Sequence, residues 1–157
     1  MWCIEGGTNV RISGRRLCIG SLAPRLRREI QLVHQAGKKF GYIMSTGIMP
    51  LLDVFLELGI DLLINVDPVQ GKADLSRLKR EAGERICFWG GVNSAITLGR
   101  GNRDEIRDAV TFAISTLAPG GGFILSAVDV LFEDTPWSNV LRMIERWREI
   151  GTYPIRI

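Results

Sequence analysis

The sequence predicts an α/β fold: half of a TIM-type (β/α)8 barrel, with four parallel βα units preceded by a helix. Three observations predict it. Short apolar runs recur at Lys39 to Met44, Asp61 to Val66, Arg85 to Gly90 and Gly122 to Ser126. Each is too short and too continuously apolar for a half-exposed antiparallel strand, so each reads as a parallel strand covered by helices. Every run also ends in a small or polar loop and is followed by apolar residues at helical spacing.

The elements follow in order. Residues 1–20 carry Gly6, Gly7, Gly14 and Gly20 without a period and read as a loop-rich lead-in; residues 21–157 form the half-barrel domain. A helix starts at Ser21, the expected N-cap, with Leu22, Leu26, Ile30 and Val33 on one face, and ends at Gly37. After the first strand, Pro50 suits the first turn of a helix whose Leu51, Leu52, Phe55 and Leu58 form a stripe closed by Gly59. Asp74 caps the next helix, which buries Leu75 and Leu78 and stops at Gly83. Gly91 to Gly101 reads as a long polar loop. Asn102 with Glu105 resembles a capping box, opening a helix with Ile106, Val110, Ile114 and Leu117 inward. Pro119-Gly120-Gly121-Gly122 turns into the fourth strand, and Thr135-Pro136 starts a last helix with Val140, Ile144 and Trp147 inward.

Bulk properties narrow the function classes. At 157 residues and 46% apolar content the chain is one globular domain. The net charge of +3 is mild, and the basic residues, such as Arg25, Arg27, Arg28, Arg77, Lys79 and Arg80, fall on helix faces without interleaved aromatics, so no nucleic-acid partner is expected. Cys3, Cys18 and Cys87 are odd in number and lack CxxC spacing, which speaks against a disulfide framework and a closed zinc site and for a reduced, cytoplasmic setting. No apolar run approaches the roughly 20 residues that cross a bilayer, and the first residues lack a signal-peptide pattern, so no membrane partner is expected.

In a (β/α)8 barrel chemistry sits where the strands end, which singles out four loops: Met44 to Gly47, Asn65 to Pro68, Gly90 to Asn93 and Ser126 to Asp129. Asp129 and Asp67 are the candidate catalytic carboxylates, able to share a proton, hold a cation or accept hydrogen bonds from a hydroxyl- or amine-bearing ligand. The competing reading is that Asp67, ahead of Pro68, starts a turn and Asp129 caps a loop. Ser45 and Thr46, the hydroxyl pair at a strand end, and Asn93 are candidate ligand-binding residues. Gly90 and Gly91 join them, either because missing side chains admit a ligand or because strand and loop pack tightly there. No base lies near Ser45 or Thr46 in sequence, which weakens a nucleophile reading. His34, the sole histidine, sits near a helix C-terminus, where packing or a dipole role outweighs catalysis. Gly120 to Gly122 precedes a strand, whereas phosphate cradles follow one, so it is a turn.

Four segments together resemble the uroporphyrinogen decarboxylase superfamily: Leu78 to Glu81, Phe88-Trp89-Gly90-Gly91-Val92-Asn93, Leu117 to Leu125, and Asp134-Thr135-Pro136-Trp137-Ser138-Asn139-Val140. The resemblance spans roughly residues 21–150 and covers only the family's C-terminal half. It implies a truncated or partial uroporphyrinogen decarboxylase-like protein that binds a tetrapyrrole- or corrinoid-related or other small carboxylated ligand at the C-terminal ends of the strands. Full-length members are decarboxylases or cobalamin-dependent methyltransferases, so a corrinoid partner is possible although no bound cofactor is expected. The alternative is a non-catalytic half-barrel assembly module completed by a partner chain. Two departures stand out. Where the methyltransferase branch has a zinc-binding His-x-Cys-Gly, this chain has Met44-Ser45-Thr46-Gly47, which offers neither imidazole nor thiolate, so no metal is expected. Where the decarboxylases have a substrate-contacting histidine, this chain has Asp129, which repels a polycarboxylate. Four strands also cannot close a barrel, so a homo-oligomer or a complementing N-terminal half is expected.

Overall fold

The computed structural model describes residue 15 and residues 18–155. Most of the lead-in expected over residues 1–20 therefore lies outside the described residues. Helix α1, Ala23–Gln35, continues directly from a π-helical turn, Cys18–Leu22. Ser21 lies within that turn and does not cap α1; Leu22 holds the cap position without a side-chain hydrogen bond. Pro24 explains the substitution, because a proline in the first turn carries no amide that needs a cap.

Four strands follow in alternation with helices: β1 Gly41–Ile43, α2 Leu52–Leu58, β2 Leu62–Val66, α3 Leu75–Ala82, β3 Cys87–Asn93, α4 Arg103–Leu117, β4 Phe123–Val128 and α5 Trp137–Ile150. The strands form one sheet in the order β1-β2-β3-β4, every pair parallel. The helix boundaries obey their local signals. Gly59 adopts the left-handed conformation that ends α2, the Asp74 side chain accepts the Arg77 amide at the start of α3, and Asn102 with Glu105 completes a reciprocal capping box on α4.

Register assigns the sheet two unlike faces. Tyr42, Leu63, Phe88 and Phe123 are aligned in one row and belong to or pack against the main core, with Phe55, Leu75, Leu78, Ala113 and Leu117 supplied by the helices. The next row, Ile43, Ile64, Trp89 and Ile124, lies on the opposite face. Among the described residues that face is uncovered: Ile43 is 64% exposed, Trp89 38% and Ile124 44%.

Two expectations need correction. Gly91 to Gly101 is not a long polar loop: β3 runs on to Asn93, and Ser94–Leu98 form a π-helical turn whose Ser94, Thr97 and Leu98 are buried. Packing is the cause, since Val92 and Leu98 join a second core cluster with Ile106, Val110 and Ile114. Trp147 is not inward but 46% exposed. The inner stripe of α5 is instead Asn139, Val140, Met143 and Ile150, because Asn139 donates to the carbonyls of Leu98 and Gly101 and so fixes the helix rotation. No helix among the described residues is long and apolar enough to cross a membrane.

At the end of the sheet where the strands begin, Asp61 ties the first βα unit together. Its carboxylate meets His34 Nε2 at 2.7 Å, accepts from Lys39 Nζ at 2.7 Å and accepts the Phe40 amide at 2.9 Å. Burial works against ionisation of this carboxyl, but the hydrogen bonds from Lys39, Phe40 and His34 outweigh it and hold the pKa at about 2. Asp53 is likewise held at about 2, chiefly by Arg15.

Two predictions follow from this packing. Phe88→Ala removes a wholly buried ring at the centre of the core and lowers the unfolding free energy by about 3–5 kcal/mol in a denaturant titration. Because the folded pKa of Asp61, about 2, lies below the ordinary aspartate value, its stabilisation is present above pH ~4 and is lost as pH falls toward ~2. The thermal midpoint should therefore drop across that window, and Asp61→Asn should flatten part of the drop while lowering stability at neutral pH.

Candidate functional site

Parallel order with sequential neighbours brings the C-terminal ends of all four strands to one rim, and local backbone distortions aim side chains there. Between Ile64, paired with Trp89, and Val66, paired with Gly90, β2 carries a bulge at Asn65. Asn65 sits at φ 67°, a left-handed conformation that asparagine tolerates better than bulkier residues. Gly90 makes the bulge possible, since at φ 140° a Cβ there would stand 2.7 Å from the Val66 nitrogen. Asp129, just past β4, is also left-handed at φ 62°.

These distortions join three strand ends. Ser45 Oγ donates to Asp129 Oδ1 at 2.9 Å, and Asn65 Nδ2 donates to the same oxygen at 2.6 Å. Asn65 Nδ2 also lies 3.4 Å from Ser45 Oγ, and the Asp129 amide donates to Asn65 Oδ1 at 3.2 Å. Residues from the ends of β1, β2 and β4 thus converge, while β3 contributes no side chain to the group. Asn65 is buried, Ser45 half-buried and Asp129 exposed.

The other candidates form a separate group. Asp67 is 3% exposed, and its oxygens accept the amides of Val69 at 2.8 Å and Gly71 at 3.1 Å and the Asn93 Nδ2 at 2.9 Å. Asn93 also donates to Gln70 Oε1 at 3.0 Å and accepts the Ile96 amide at 2.7 Å. This network locks the loop after β2 to the turn after β3, and it leaves the Asp67 carboxylate facing protein donors. Thr46 is exposed and belongs to neither group. Gly90 and Gly91 serve close approach: a Cβ on Gly91 would meet Ala113 Cβ at 3.0 Å and the Phe123 ring at 3.2 Å. Asn65 is the site residue that sequence reasoning passed over. Its signal was a lone polar residue inside Leu62-Leu63-Ile64-Asn65-Val66.

His34 pairs with Asp61 at the opposite end of the sheet, and among the described residues no three His, Cys, Asp or Glu side chains are placed to hold a metal ion. Burial pushes the Cys87 thiol above its ordinary pKa, so it is a poor thiolate at neutral pH. The two carboxylates should separate in a stability assay. Asp67→Ala strands buried donors and should cost roughly 2–4 kcal/mol in urea unfolding, whereas Asp129→Asn keeps an acceptor oxygen and should cost less than about 1 kcal/mol.

No known family model and no curated protein matches this sequence. Among solved structures, a methyltransferase from Methanosarcina mazei is similar in fold, at 21% identity and a TM-score of 0.66. The match covers 83% of this chain and 36% of that one, so this chain spans about a third of the length of its structural relative.

Proposed function

We propose that this chain is a partial, methyltransferase-type member of the uroporphyrinogen decarboxylase superfamily that binds a small organic ligand at the C-terminal ends of its strands. The observation that carries this reading is the convergence of Ser45, Asn65 and Asp129 from three strand ends onto one rim. The fold shared with a methyltransferase supports the methyltransferase branch over the decarboxylase branch. Asp129 points the same way, because a carboxylate in that place repels the polycarboxylate that a porphyrinogen decarboxylase must hold. In this assignment Asp129 is the ligand-facing group and the candidate proton acceptor, with Ser45 and Asn65 holding it. Asp67, Asn93, Gly90 and Gly91 shape the rim.

Zinc-thiolate chemistry does not fit the residues present. Met44 and Thr46 offer no imidazole or thiolate where the family's zinc ligands stand, and no replacement cluster exists among the described residues. A corrinoid, delivered by a partner, would supply methyl-transfer chemistry. No step on this chain is assigned to it.

A second reading is favoured by the uncovered row Ile43, Ile64, Trp89 and Ile124: the chain is an assembly module whose sheet is completed by another half-barrel, from a second copy or a complementing chain. Among the described residues these apolar side chains stand exposed on the sheet face away from the helices, a surface suited to a partner. Both readings hold together if the ligand site works only in the completed assembly.

Saturation-transfer NMR on the full chain with benzylammonium, benzyl alcohol and benzoate tests the site: at least one should bind, and Asp129→Ala should abolish its signal. Binding by none of them, or binding indifferent to that substitution, would remove the ligand-site reading. Sedimentation velocity at micromolar concentration tests assembly. A dimer or larger species is expected, with Trp89→Glu shifting it toward monomer, and a well-folded wild-type monomer would overturn the completion reading.

A further inference from the structure

Among the described residues five α-helices flank four strands, one helix more than the strands they accompany. The helices pack on one another in chain order, α1 on α2, α2 on α3, α3 on α4 and α4 on α5. Helices α2, α3 and α4 are the crossovers that carry β1 to β2, β2 to β3 and β3 to β4. The remaining two therefore flank the outer edges of the sheet, α1 on the β1 side and α5 on the β4 side. Both are anchored there. Ala23, Leu26 and Ile30 of α1 are buried in the main core, while α5 buries Val140 and packs Met143 and Ile150 on the second cluster.

Resting on the completion reading above, we infer that the partner completing this sheet begins and ends in strands and is not a second copy of this chain. In a (β/α)8 barrel eight helices ring eight strands, one helix to each joint between neighbouring strands. Two copies of this chain carry ten helices, five from each. Wherever two copies meet edge to edge, two helices compete for one place: α5 and α1 where β4 meets β1, two copies of α1 where β1 meets β1, and two of α5 where β4 meets β4. Helices pack about 8–10 Å apart, roughly twice the spacing of strands, so the second helix finds room only if Leu26 and Ile30, or Val140, leave their core. A partner of four strands joined by three crossover helices meets no such conflict. Its first strand lies beside β4 under α5, and its last lies beside β1 under α1. Copies of this chain alone are left to associate through the exposed Ile43, Trp89 and Ile124, which keeps the β1 and β4 edges free of one another.

Hydrogen exchange and strand addition on the ¹⁵N-labelled full chain test this assignment. When the chain is concentrated until sedimentation velocity shows association, the β1 and β4 amides that face away from β2 and β3 should exchange as fast as in dilute chain. A peptide of residues Lys38 to Ser45 is a strand without its helix. It should shift the resonances of Phe123 to Val128 and slow their edge amides about tenfold or more, the protection given by roughly one net hydrogen bond. The same peptide with alternate amides N-methylated should do neither, since it cannot complete a ladder. Edge amides that become protected as copies associate, or a β4 indifferent to the peptide, overturn the strand-ended partner and leave completion standing. A chain that stays a folded monomer at every concentration overturns the completion reading and this assignment with it.

Discussion

Every feature of this fold descends from one constraint: parallel neighbours in sequential order, β1-β2-β3-β4, can be joined only by crossover helices, and crossovers of one hand and one direction land on one face. The helices therefore gather behind the row Tyr42, Leu63, Phe88 and Phe123, while among the described residues the row Ile43, Ile64, Trp89 and Ile124 has no helix to meet. The same geometry puts every strand's C-terminal end on one rim. An apolar face that the described helices leave open and a polar rim beside it are two consequences of a single topology.

The two ends of the sheet do different work. Where the strands begin, Asp61 is surrounded by His34, Lys39 and the Phe40 amide, whose hydrogen bonds outweigh burial and hold its pKa at about 2. Where they end, Asp129 receives only neutral donors, from Ser45 and Asn65. Lys39 pairs with Asp61 at 2.7 Å, whereas no ion pair among the described residues involves Asp129. Left-handed backbone at both Asn65 and Asp129 marks the rim as the place where the chain departs from its easiest conformations, a cost that packing elsewhere must offset.

Much of this was legible in the sequence. Strand runs flanked by glycine, the Asp74 cap, the Asn102 and Glu105 box and the Gly59 stop act through neighbours a few residues away, so local reading finds them. The turn after β3 was missed because its polar residues Asn93, Ser94 and Thr97 are buried by tertiary partners, with Ser94 donating to the Val128 carbonyl and Asn93 to Asp67. The rotation of α5 was misjudged for a similar reason: Asn139, reaching the carbonyls of Leu98 and Gly101 about forty residues away, outranks the apolar Trp147 in choosing the inward face. Ser45 and Asp129 were named from their strand-end positions, but their meeting depends on the Asn65 bulge, which depends in turn on Gly90 lacking a Cβ.

Asp67 and Asp129 show how little residue type decides by itself. Both follow a parallel strand at the same rim. The chain after Asp67 folds back at once, so that Val69 and Gly71 turn their amides onto it, and Asn93 closes over the remaining lone pairs. The chain after Asp129 instead leads into the exposed Val130, Leu131 and Phe132, and its own amide is spent on Asn65. One carboxylate has been absorbed into the scaffold. The other is oriented by the scaffold and left with an unpaired oxygen, beside apolar surface that the described residues do not cover. In the proposed ligand site, that difference in surroundings is what assigns Asp129 to the ligand and Asp67 to the scaffold.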